Sequence, residues 1–456
     1  MRRVVKVSRI RIIITIIVVV LTTLLTGCTG KEPNEIAYVV ALGIDSTDDD
    51  NYKITIQYAN TTQISGGTSE SGGKAGSEIV DNVTIEAPNI YAGVGLANNI
   101  VSKSFSMSHA KLIVFSKEIA EKGVKDMIET LVRSEEIRPD VFIAVANTTA
   151  NDYLTSVNPE MEVNPAQYYQ LIYQKNQLVG IPDGQLREFF TGLYTDNYDS
   201  ILPVAGVIEG SGGNSQNDDK GQSKDGQNEG SEGSSESLDS FESKSSNEKD
   251  ENEKEKDAEK NTSKYEYDIK NYIGGETAIE KKNKAEAIGA AVFEKDKMVG
   301  ELGEVETEIC KMLKGDYTYS YLTYYNNDTP DIPITVKTTQ QKKPKYKIDT
   351  DKKTVDIELY IESDLYSLPA DYNVENKIED FERDVANYTS SACTEFINNF
   401  TKKYNSDILK LNEKVKYKFL TNNQYNWFKK NVDWCEYKFS VCTDFKVRRT
   451  GLIVRE

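Results

Sequence analysis

Cys28 follows directly on an apolar run and is preceded by Leu25, Thr26 and Gly27. Leu, a small residue, Gly and Cys in that order form a lipobox. The small side chains let a signal peptidase close around the peptide bond before the cysteine. The cysteine thiolate is the nucleophile that takes up a diacylglyceryl group. The motif therefore marks Cys28 as a lipidation site, with cleavage before it and acylation of the new amino group. Upstream, Arg2, Arg3, Lys6, Arg9 and Arg11 precede the run from Ile12 to Leu25. That run is short of the about twenty residues a membrane helix needs. A basic start followed by a short apolar stretch is the pattern of a secretory signal peptide, here residues 1–27. Two or three acyl chains give durable anchoring where one gives marginal binding.

The other candidates for chemistry are weaker. His109 is the single histidine of the chain, and it stands beside Ser106 and Ser108. Nucleophile systems need spatial rather than sequential neighbours, so His109 is expected to order a loop through a hydrogen bond. Asp45, Thr47, Asp49 and Asn51 alternate like the oxygen ligands of a calcium loop but lack its glycine and closing glutamate, and a solvated hairpin turn is expected there. Cys310, Cys393, Cys435 and Cys442 contain no CxxC spacing, and bridges and free thiols both remain open. Tyrosines cluster at Tyr168, Tyr169 and Tyr173 and again from Tyr317 to Tyr325, with core packing ahead of an interface role. Trp427 and Trp434 flank Phe428, Lys429 and Lys430. That stretch could meet lipid headgroups, but burial under the last sheet is the stronger expectation. No catalytic residue, metal ligand or cofactor site follows from these patterns, and no ligand-binding residue can be named.

The elements that hold these residues follow from the pattern of apolar positions. The chain has 456 residues, net charge −18 and a pI near 4.8. Such an acidic surface disfavours nucleic acid as a partner. Residues 209–263 are so poor in large apolar side chains that they cannot offset their ordering entropy, which predicts a disordered acidic linker. A smaller Gly/Ser stretch at 65–77 reads as a loop tip. Before the linker, 36–45 and 52–58 form a hairpin, 111–115 and 141–146 are strands about a helix at 123–136, and 164–177 and 186–194 are helices. After it, 285–293 and 298–302 form a second hairpin and 304–313 a helix ending before Gly315. Strands follow at 318–325, 334–338, 345–349 and 354–362, then a long helix at 374–403 and a closing strand at 434–447. The expected fold class is α+β. The expected domains are 28–148, then 149–208 with 264–284 as its candidate completion, then 285–456. The last is a mostly antiparallel sheet crossed by one long helix.

Four stretches together resemble a known family. They are Asn34-Glu35-Ile36 leading to Gly43-Ile44-Asp45, with Tyr52, Thr55 and Gln57 behind it; Ser106 to Ser116 with Glu118 to Gly123; the hairpin Gly289 to Leu302; and Lys403 to Ile408 with the Trp434 strand. In order, and behind a lipobox, they are similar to the Ger(x)C lipoproteins, the C subunits of nutrient germinant receptors. The resemblance implies consecutive mixed α/β domains without an active site. It also implies membrane-embedded partner subunits of the A and B types, and a place on the outer face of the cytoplasmic-type, spore inner membrane. The rival expectation is a solute-binding lipoprotein of an uptake system, which predicts a cleft between two Rossmann-like lobes.

Overall fold

The computed structural model describes residues 13–17, 35–49, 51–59, 80–159, 162, 164–174, 180–195, 197–208, 271–277, 283–325, 333–367, 377–404 and 406–450. Of the signal stretch, residues 13–17 are helical and exposed. Among the described residues no helix is long and apolar enough to cross a membrane. Leu25, Thr26, Gly27 and Cys28, the linker at 209–263 and the loop tip at 65–77 lie outside the described residues.

Ile36–Ser46 is a run of β-branched and small residues that are buried almost throughout, as a strand covered on both faces requires. This strand, β1, pairs antiparallel with β2 (Tyr52–Ala59), and β2 pairs with β3 (Val80–Ala87). Helix α1 (Ile90–Ala97), capped by Asn89, returns the chain to β4 (Ser104–Ser106), a short parallel neighbour of β1. There follow β5 (Leu112–Ser116), α2 (Lys117–Lys122), α3 (Lys125–Val132), β6 (Phe142–Ala146), α4 (Ala150–Ser156), α5 (Pro165–Tyr173), α6 (Leu186–Thr195) and β7 (Ile201–Val207). Beyond the linker, β8 (Ala285–Glu294) and β9 (Lys297–Leu302) form a hairpin.

These strands make one sheet in the order β3-β2-β1-β5-β6-β7-β8-β9, with β4 beside β1. Strands β1, β5, β6 and β7 are parallel, and the outer pairs are antiparallel. Alternate side chains feed two cores. Ile113, Phe115, Ile143 and Val145 meet α1, α2, α3 and α6 on one face. Leu112, Val114, Phe142 and Ala144 meet Tyr153, Tyr168 and Tyr169 of α4 and α5 on the other.

A second sheet follows α7 (Glu304–Lys314), which stops at Gly315 in the left-handed region, φ 82°. Its strands are β10 (Tyr319–Tyr325), β11 (Pro333–Thr339), β12 (Lys345–Asp349) and β13 (Thr354–Ser367) in the order β10-β11-β13-β12. Helix α8 (Ile378–Lys403) crosses this sheet, and α9 (Leu411–Val415) and α10 (Asn422–Asn431) lead to β14 (Lys438–Arg449). The sheet is mostly antiparallel with one long helix, as the sequence indicates. Two details differ. Trp434–Glu436 is a turn of 3-10 helix and the strand begins at Lys438. The closing strand also runs parallel to β13, because the long helix makes the connection a crossover. Side chains of α8 satisfy backbone groups on the open edge of β14: Val441 donates to Thr394 Oγ1 at 3.0 Å, Thr443 to Ser390 Oγ at 2.9 Å, and Phe439 to Asn398 Oδ1 at 3.2 Å.

Candidate functional site

The polar residues of the first resembling stretch converge on α4. Asp45 is buried and accepts from the amides of Ala150 at 2.6 Å and Asn151 at 3.0 Å, two otherwise unpaired donors at the helix start. Burial pushes the Asp45 carboxyl up, and these two bonds offset part of that. Thr55 accepts from Asn151 Nδ2 at 2.9 Å. Gln57 donates to Leu154 O at 2.9 Å and accepts from the Tyr169 hydroxyl at 2.5 Å. Asp45 is thus not part of a solvated turn. It reaches inward, while Thr47, Asp49 and Asn51 form the turn, where Thr47 donates to Asp49 O at 3.1 Å and to Asn51 O at 2.8 Å. These bonds clamp a helix and leave no ligand set.

The third stretch forms a joint between the two cores. Along β8, Ala291 and Phe293 face the core of the first sheet, while Ala290 and Val292 face the core beneath α8. Small residues at these positions let two layers approach one strand. The hairpin turn, with Lys295 at φ 58°, is held from three sides. Val124 donates to Asp296 O at 3.0 Å, and Lys117 pairs with Glu301 at 2.8 Å. Asp199 accepts from the Lys295 amide at 2.9 Å and from the Asp407 amide at 2.8 Å. Asp407 in turn accepts from Leu411 and Asn412 at 2.7 and 2.9 Å, and so caps α9. Ser406 donates to Phe293 O at 2.8 Å. Burial pushes the Asp407 carboxyl up to about 7, against the opposing pull of those two amides, and it raises Asp199 as well. A cavity of about 500 Å³ opens beside this joint, lined among others by Tyr198, Asp407, Asn426, Lys430 and Trp434.

The remaining candidates are scattered. His109 is exposed and makes an edge-on ring contact with Tyr38, centroids 5.0 Å apart, so a ring contact stands where a hydrogen bond was expected. The Ser106 and Ser108 hydroxyls lie 2.9 Å from each other. Among the described residues no group of acidic, histidine or cysteine side chains could hold a metal. Cys310, Cys393, Cys435 and Cys442 are free thiols. Burial pushes Cys310 up to about 11 and Cys393 up to about 12, which removes the reactive thiolate. Tyr168, Tyr169 and Tyr173 are core residues. The two tryptophans part company: Trp434 is buried, whereas Trp427 is exposed. Asp407 lies in the last of the four resembling stretches, and neither it nor Asp199 carries a local sequence signal of its role, because their partnership joins positions 208 residues apart.

With this geometry in view, comparison with known proteins gives a consistent pattern. Residues 30–207 match the family model described as spore germination protein N-terminal domain. Residues 288–451 match the model described as spore germination B3/GerAC like, C-terminal. Spore germination protein KC of Bacillus subtilis (strain 168) is 26% identical over 174 residues, covering 35% of this chain and 42% of that protein. Spore germination protein B3 of the same organism is 26% identical over 148 residues, covering 30% and 36%. The chain thus aligns with less than half the length of these curated relatives. The crystal structure of the GerBC protein overlays with a TM-score of 0.48 at 14% identity, covering 89% of this chain and 96% of that one. None of these names denotes a catalysed reaction.

Proposed function

Because the chain belongs to the spore germination family of the GerAC, or Ger(x)C, type, with its two family domains matched in order, we propose that it is a lipid-anchored, non-catalytic subunit of a nutrient germinant receptor. In this reading acyl chains on Cys28 hold it to the outer face of the spore inner membrane, and membrane-embedded subunits of the A and B types are its partners. One observation carries the reading: the first family match begins at residue 30, immediately behind the lipobox cysteine. The structure supports it in kind. The polar residues of the shared stretches serve as helix caps and interlayer bonds, which suits a body built for contact.

The rival reading, a solute-binding lipoprotein of an uptake system, calls for a cleft between two separately folded lobes. Here β7 and β8 hydrogen-bond directly, Ile201 opposite Val292 and Val207 opposite Ala285, so one sheet runs on through that position.

The test is genetic and chemical. With paralogous genes removed, disrupting this gene in its spore-forming host is expected to leave spore yield unchanged and to abolish germination by nutrients. Labelled palmitate should enter the wild-type chain and not Cys28→Ala. Normal germination in response to every nutrient would overturn the receptor reading, and labelling of Cys28→Ala would overturn the anchor.

A further inference from the structure

From Lys410 to Asn431 the sequence carries six lysines against one glutamate, in a chain whose net charge is −18. The same short segment leaves three large apolar side chains in solvent. Tyr417 is 76% exposed, Leu420 95% and Trp427 69%. A core lies close by, so their exposure is not forced. Phe419, next to Leu420, packs on Tyr425 and Phe428 with ring centroids 5.9 and 4.9 Å apart. Its extended backbone, φ −99° and ψ 131°, turns Leu420 the opposite way. Thr421 caps α10 by accepting from Gln424 N at 3.3 Å. An apolar residue just before such a cap commonly folds back onto the helix, and Leu420 does not.

A second observation concerns direction. Strands β1, β5, β6 and β7 are parallel, so their starting ends share one edge of the sheet. At that edge the residues leading into β7 hold the lysine-rich segment. Lys429 Nζ donates to Thr195 O at 2.9 Å and Asn197 Oδ1 at 3.0 Å, and Lys410 stands 4.3 Å over the Tyr198 ring. At the same edge β1 begins at Ile36, eight residues after Cys28, a reach of at most about 29 Å. β1 and β7 are three strand spacings apart, about 14 Å. The start of β1, which follows the lipobox, and the basic, aromatic segment therefore lie at the same edge of the sheet.

We propose that Lys410–Asn431 is a second membrane contact, made with the anionic headgroups of the bilayer that receives the Cys28 lipid. Tyr417, Leu420 and Trp427 enter the interfacial layer, and Lys416 and Lys430 meet lipid phosphates. Tryptophan and tyrosine favour that layer because their rings are apolar with a polar edge. The charge contrast gives orientation: an acidic body is repelled by an anionic surface except where a basic face meets it. Two contacts, lipid and segment, fix the tilt of a body that a single point of attachment would leave free. This proposal rests on the lipid-anchor reading above.

The test uses the full lipidated chain with vesicles of phosphatidylcholine, with or without phosphatidylglycerol, carrying brominated acyl chains. The chain has two tryptophans. Trp434 is only 7% exposed, so quenching reports on Trp427. The expected result is flotation with both vesicle types and loss of roughly half the tryptophan emission with phosphatidylglycerol alone. High salt, or the double variant Lys416→Glu, Lys430→Glu, should reverse the quenching several-fold while flotation persists. Flotation without quenching overturns the second contact and spares the anchor. Flotation and quenching on anionic vesicles alone supports the second contact and overturns the anchor. Quenching that requires co-purified membrane subunits overturns lipid as the occupant.

Discussion

Asp407 joins the end of α8, the cap of α9 and, through Asp199, the hairpin turn. Its carboxyl is buried and pushed up from 3.8 to about 7. A folded state that holds a proton the unfolded chain has released gains stability at low pH. That contribution is complete below the unfolded value and is lost as pH rises through the folded one. Between 3.8 and about 7 the joint should therefore weaken steadily. Asp199 and Lys414 stand close enough to shape the curve. Thermal unfolding measured across this range should show the wild type losing ground to Asp407→Asn as pH rises. Parallel curves for the two proteins would show that Asp407 does not titrate there. The single histidine is exposed on a ring contact, and Cys310 and Cys393 are held as buried thiols.

At the scale of elements, Gly43 decides how closely α4 can lie on β1. A Cβ at this position would stand 3.0 Å from Leu154 Cδ1 and 3.1 Å from Ala150 Cβ. Gly43→Val should lift the helix away from Asp45 and Gln57, and overpacking of this kind costs about 1–3 kcal/mol. Urea unfolding measures it, and an unchanged midpoint would mean that the clamp tolerates the extra volume. Strong periodicity made most elements legible: the hairpin 36–58, the helix ending at Gly315 and the long helix stand where alternation or helical spacing put them. The misses have local causes. No element is assigned to 201–207 from the sequence, where Pro203 and Gly206 weaken the strand pattern, yet the place of β7 between β6 and β8 makes it a core strand. The helix expected at 123–136 is the shorter α3, Lys125–Val132, and a separate helix, α2, precedes it and ends where Gly123 takes φ 122°. The expected closing strand lost its first residues to the turn at Trp434, whose ring packs on Tyr437 with centroids 4.6 Å apart.

For the whole molecule, the acidic insertion reads differently once its flanks are seen. As a free chain of that length it would span about 40 Å and serve as a spacer. Its flanks are instead sheet neighbours: Val207 lies opposite Ala285, and Ile208 N donates to Lys284 O at 2.9 Å. The insertion therefore connects two adjacent strands of one sheet. Loop entropy changes by only about 0.6 kcal/mol per doubling of length. Replacing residues 210–263 with a short Gly/Ser loop should leave the melting temperature equal or slightly raised, and a large fall would reveal contacts made by the insertion.

The sequence alone determined what depends on local order along the chain. The signal pattern and lipobox, the acidic balance, the hairpins, the long helix and the order of the four shared stretches are all covalent or periodic properties. Only tertiary structure decided what depends on distant residues meeting. Asp45 became a helix cap when α4 settled on β1. The β8–β9 hairpin became a joint because its two faces meet different cores. Of two tryptophans seven residues apart, packing buried Trp434 and left Trp427 in solvent. Burial is a property of the assembled neighbours, and periodicity within one segment does not contain it.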